Sequence, residues 1–153
     1  MARRVVSMRK RVRYVFVILI ALGAFIGIIA AYIHFRAVNE FHDIITSIVN
    51  ADKLEINLEE YSSKHRRVEL VDEAKIEEIR KYISELQYGG LYEGMGAIAP
   101  ADQAYDLIVS SKYANAIFVI SASHEKSYIA GSPFPVSIKN YDGLYDTVNA
   151  VFG

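Results

Sequence analysis

The chain has 153 residues, 52% hydrophobic and 23% charged, with no cysteine. That length predicts one globular domain plus accessory segments, and the missing cysteines exclude a disulfide framework, thiolate zinc sites, thiol catalysis and a lipidated cysteine. The net charge of −1 hides a division: Arg3, Arg4, Arg9, Lys10, Arg11 and Arg13 give residues 1–13 a charge of +6, whereas the chain from Arg36 on carries 11 basic and 18 acidic residues, net −7.

An acidic region repels a phosphate backbone, whose neutralisation by Lys and Arg supplies most non-specific affinity, so no nucleic-acid partner is expected. Residues 14–33 read YVFVILIALGAFIGIIAAYI, twenty in succession without a charge. As a helix at ~1.5 Å per residue they match the roughly 30 Å hydrocarbon core of a bilayer. Tyr14 and Tyr32 lie near the two ends, where aromatic rings favour the headgroup zone, and the six preceding cations favour a cytoplasmic N-terminus. The pattern predicts a basic cytoplasmic segment over 1–13 and a transmembrane helix over 14–35 in the cell membrane. A competing reading is a cleaved signal peptide ending at Ile29-Ala30-Ala31, but the apolar run exceeds the 7–15 residues usual for one.

Gly23 and Gly27, extended by Ala31, place small residues on one face of that helix, as in helices that approach one another closely in membranes. The plainer reading is that glycine is common in such helices. Residues 36–52 continue in helical period through Val38, Phe41, Ile45, Ile48 and Val49. They predict a stalk whose apolar stripe packs on the following domain or on another protein.

The domain proper is expected over 53–153. Residues 53–60 alternate, with Leu54, Ile56 and Leu58 on one side, and read as a half-buried strand; residues 67–71 return as its hairpin partner. Asp72 suits the N-cap of a helix over 73–87, with Ile76, Ile79, Ile83 and Leu86 on one face. Glu77 and Lys81 are spaced as an i,i+4 pair, and Gly89 is the expected stop. Residues 89–99, GGLYEGMGAIA, read as a glycine-rich loop. Strands follow over 105–109 (or a helix starting at Pro100), 116–122, 126–130 and 136–139. Asn140 is the expected cap of a last helix carrying Leu144, Val148 and Val151, unless Asp142-Gly143 turns a hairpin. The fold class predicted is α+β: an antiparallel sheet of about five or six strands with two helices on one face.

This order of elements, VELVDEAKIEEIRKYISEL after a hairpin, then a strand meander and a short closing helix, resembles small extracytoplasmic domains of Gram-positive bacterial membrane proteins and lipoproteins. The resemblance implies a fold and a placement outside the membrane, and no activity.

His34, His42, His65 and His124 show no H-x-x-x-H spacing, so no metal is expected. The adjacent acids Glu59-Glu60 and Glu77-Glu78 read as solvated surface rather than a general acid–base pair. The glycine loop lacks G-x-x-x-x-G-K-[ST] and carries Glu93 where a phosphate would want a cation. No G-x-S-x-G or S-x-x-K pattern occurs. The expectation is a protein with no catalytic residues and no cofactor. Eleven tyrosines are an excess; tyrosine suits recognition surfaces, and Tyr88, Tyr92, Glu93 and Met95 are the candidate recognition loop, against the plainer reading that the rings pack a small sheet. The function expected is a membrane-anchored interaction module, an accessory or regulatory subunit of an envelope complex. Its partners would be the lipid bilayer and another membrane or extracytoplasmic protein, or a second copy through the transmembrane helix. The alternative is a ligand-, peptide- or glycan-binding domain using residues 88–99.

Overall fold

The computed structural model describes residues 2–60, 66–92, 104–122, 127–130 and 135–153, with side chains from residue 13 onward. The chain divides into two compact units, Met1–Phe35 and Arg36–Gly153. The first unit lies within helix α1 (Ala2–Val49), which includes the one described helix long and apolar enough to cross a membrane. None of its apolar window is buried, and Phe16, Leu19, Phe25 and Ile28 are all exposed. A helix that is apolar on every side is stable only where lipid or protein surrounds it.

The second unit is α+β. It consists of the last residues of α1, strands β1 (Glu55–Glu60) and β2 (Arg67–Leu70), helix α2 (Glu73–Glu85), strands β3 (Gln87–Leu91), β4 (Ala104–Ser110), β5 (Asn115–Ser121), β6 (Tyr128–Ala130) and β7 (Val136–Lys139), and helix α3 (Asp142–Phe152). The strands form one open antiparallel sheet in the order β2-β1-β4-β5-β6-β7-β3. The sheet therefore has seven strands rather than five or six. The additional one is β3, which occupies the glycine pair read as the start of a loop.

Two features hid β3. Its register shifts between Tyr88 and Gly90, and Gly90 adopts φ +122°, a conformation in which L side chains are strained. A Cβ on Gly89 would lie 2.8 Å from the Ser137 carbonyl oxygen of β7. Both glycines thus serve a bulged edge strand, where an extra residue bends the ladder.

Helix α2 starts as its sequence predicts, with the Asp72 carboxylate accepting from the Ala74 N–H at 3.0 Å. It stops at Glu85, earlier than the expected 87, because Leu86 is already extended. Glu77 pairs with Arg80 at 3.1 Å, not with Lys81, whose ammonium sits over the Tyr82 ring. Asn140 does not cap α3. It takes φ +59° and donates its side-chain amide to the Glu85 carbonyl at 2.9 Å, closing the end of α2 instead. Tyr141 holds the N-cap position of α3 without a side-chain bond, and Asp142-Gly143 lies inside that helix rather than in a hairpin turn.

Register assigns the faces. Ile56 pairs with Val109, Leu58 with Leu107, Leu107 with Phe118, Phe118 with Ile129 and Ile129 with Val136, so these residues line one side. They share a single buried cluster with Ile79 and Ile83 of α2, Leu144, Val148 and Phe152 of α3, and Ala37, Phe41 and Ile48 of α1. The apolar stripe of residues 36–49 is therefore taken up by the domain itself. Its deepest line runs through Ala37, Phe41 and Ile48, with Val38, Ile45 and Val49 half-buried beside it. Burying Phe41 and Ile48 stabilises the fold by about 1.5–3 kcal/mol each. Because β2 and β3 are the two edges, the connection through α2 spans the sheet, about 29 Å at ~4.8 Å per strand.

Candidate functional site

Arg80 projects from α2 to the end of α1. Its Nη1 donates to the carbonyls of Ile48, Val49 and Ala51 at 3.2, 3.0 and 2.6 Å, while Nε holds Glu77. The last turn of α1 contains no basic residue of its own. A helix C-terminus leaves carbonyls without intrahelical partners and carries partial negative charge, so one guanidinium from a neighbouring helix meets both needs. Nη1 has two hydrogens, and three acceptors share them as bifurcated bonds.

A second charged cluster lies at the far end of β1. Glu60 is only 6% exposed and accepts from Arg66 Nε at 2.7 Å. Arg66 Nη1 donates to the Phe152 carbonyl at 2.6 Å, and the guanidinium lies over the Phe152 ring. The hydrogen bond that Arg66 donates to the Glu60 carboxylate holds the guanidinium above its ordinary pKa. Beside it the buried Tyr105 stacks on Phe152 and donates its hydroxyl to the Asn149 side chain. These contacts tie α3 to the sheet.

Two adjacent grooves share Asp52, Lys53 and Glu55. One, of about 540 Å³, runs between the β1–β2 edge and α2 and is lined by Glu69, Leu70, Val71, Glu73, Ile76 and Glu77 among others. The other, about 420 Å³, lies between residues 51–55 and the turn 110–113.

The residues singled out in the sequence do not converge. A Cβ added at Gly23 or Gly27 would meet nothing within 4 Å, and Ala31 is exposed on the same helix. Arg13 is exposed; Arg3, Arg4, Arg9, Lys10 and Arg11 lie on the backbone of α1, with side chains outside the described residues. Tyr88 packs edge-on against Phe41 at 6.0 Å, on the helix side of the sheet, and this burial pushes its pKa up. Tyr92 stacks on Tyr128 at 4.2 Å on the opposite side. Four residues apart in a regular strand, the two rings would share a face; the bulge between Tyr88 and Gly90 reverses that parity. Glu93 and Met95 lie outside the described residues. Of the other tyrosines, Tyr105 and Tyr141 are core residues, Tyr82 and Tyr145 pack against the core, and Tyr113 is 75% exposed. His34 and His42 are exposed, and no group of three potential metal ligands meets among the described residues.

Sequence reasoning missed Arg80, because its partners are backbone carbonyls about thirty positions away. A signal was available: α1 ends without a cation of its own, and Arg80 falls next to the buried position Ile79 on α2. No protein-family model, curated protein or solved structure matches the chain.

Proposed function

We propose that this protein is a membrane-anchored interaction module, with its N-terminus in the cytoplasm and its α+β domain outside, acting by binding rather than catalysis as an accessory or regulatory subunit of an envelope complex. The observation that carries the reading is the apolar segment of α1. Its side chains face outward all round, which suits lipid, and it directly precedes residues 36–49, whose stripe belongs to the domain core. Six cations before the apolar run argue for the orientation.

The native chain has no cysteine, so single cysteines report without background. In cells treated with a membrane-impermeant maleimide, Lys112→Cys is expected to label from outside and Ser7→Cys only after permeabilisation. The reverse pattern overturns the orientation. Crosslinking and co-purification from native membranes then test the interaction: a stoichiometric partner is expected, and recovery of the chain alone overturns the accessory-subunit reading.

One observation favours a second reading, a peptide- or glycan-binding domain at residues 88–99: the Tyr92–Tyr128 stack lies on the sheet face opposite the helices. A ligand that binds the folded state raises its stability. No thermal shift with peptides or cell-wall glycan fragments would remove this reading.

A further inference from the structure

Strand β2 ends the sheet on one side, and among the described residues only β1 pairs with it. The Glu60 N–H donates to the Arg66 carbonyl at 2.8 Å. Bonded pairs in an antiparallel ladder recur at every second residue, so Val68 and Leu70 bond toward β1. Arg67 and Glu69 then present their N–H and C=O groups outward, as a template for another strand.

That edge borders the larger groove. Its lining holds five carboxylates, including Asp52, Glu69, Glu73 and Glu77, against two cations, Lys53 and Arg80. Arg80 is already engaged by three carbonyls and by Glu77. Leu70 and Ile76 add apolar wall, and Val71 at the lip is 80% exposed. Edge strands that must stay unpaired are blunted by short length, charge or a bulge. Here β2 is short, but Arg67 is turned onto Glu59 at 3.2 Å, which leaves the rim on the groove side acidic.

We propose that the groove and the free edge of β2 receive an extended, lysine- or arginine-bearing segment of a partner polypeptide, added as an eighth strand. Main-chain bonds to Arg67 and Glu69 supply registry; on the helix side the segment's cations meet Glu73 and Glu77 beside Ile76, and its alternate apolar residues lie with Val71 on the other face. This is strand addition, in which backbone pairing gives affinity and side-chain pockets give selectivity. Opposite charge across the contact speeds encounter and rejects acidic competitors.

The inference deepens the interaction-module reading and rests on it. Its test uses the full chain in nanodiscs of zwitterionic lipid and a fluorescein-labelled peptide alternating lysine and valine over about eight residues, within the usual strand length. Saturable anisotropy is expected, weakened at least about tenfold by Glu69→Lys/Glu73→Gln and by N-methylation of alternate peptide nitrogens. Circular dichroism and the urea midpoint verify folding of the double variant, and Glu73→Gln alone gives a milder second measurement. No saturable binding, or binding indifferent to the variants or to N-methylation, overturns the proposal. In native membranes, a partner recovered equally by wild type and double variant sinks the groove and leaves the module reading standing. A chain recovered alone sinks that reading instead.

Discussion

Arg80 has a side chain that is only 15% exposed, and it serves acceptors on a different element. Hydrogen bonds to a charged group are worth about 1.5–3 kcal/mol each, and the three acceptors share two hydrogens, so their effects do not add. Replacing Arg80 by Ala is expected to lower stability by about 2–3 kcal/mol, read from the urea midpoint. Arg80→Lys recovers part of the loss, because an ammonium is a single donor point where guanidinium is a fork. Equal stability of Arg80→Ala and wild type would show that water caps α1 as well as the guanidinium does. Glu77 is the less sensitive position of this pair, being 65% exposed, where ion pairs contribute about 0–1 kcal/mol.

At the scale of elements, the contrast is between α2 and β3. The start of α2 was legible because everything that fixes it is local: an Asp72 cap, an acidic first turn and apolar positions three and four apart. Its end was not, since Asn140, 55 positions away, closes it. Strand β3 was illegible for a stronger reason. Two glycines ordinarily mark a loop, and only the neighbouring β7 reveals that the first must lack a Cβ and the second must take φ +122°. Gly89→Ala pushes a methyl against backbone that cannot swing away, so a loss of about 1–3 kcal/mol is expected. Hydrogen exchange should quicken across the β3–β7 pair, and unchanged exchange there would show that the edge yields without cost. The same bulge explains why the Tyr88–Tyr92 loop could not be read as one surface: its two rings face opposite sides of the sheet. A Tyr88/Tyr92 double substitution would therefore mix lost packing on Phe41 with any lost recognition.

At the scale of the molecule, the class of fold was visible in the alternation of strands and helices, whereas the order of strands was not. β1 sits between β2 and β4, and β3 lies at the opposite edge from β2; such neighbours are chosen by long-range packing rather than by local pattern. The place of residues 36–49 was also undecided in sequence, because an apolar stripe does not name what covers it. Their membership in the core has a direct test. A chain starting at Arg36 is expected to give a cooperative unfolding transition, and one starting at Ala51 is not. Loss of Phe41 and Ile48 alone removes about 3–6 kcal/mol, a large part of the 5–15 kcal/mol typical of a whole domain. Equal transitions for the two chains would contradict the packing of α1.

The shared core also governs when the domain can form during synthesis. Ala37 and Phe41 come just after the apolar segment, Phe152 comes near the last described residue, and all three belong to one buried cluster. Arg66 further waits for the Phe152 carbonyl. No early portion of the chain can close that cluster while α3 is still on the ribosome, so the domain closes only once α3 has emerged. Until then the apolar face of the sheet lacks its cover of Leu144, Val148 and Phe152, and exposed apolar surface is prone to wrong association. If the domain crosses a membrane after α1 has inserted, it does so as an open chain and closes on the far side.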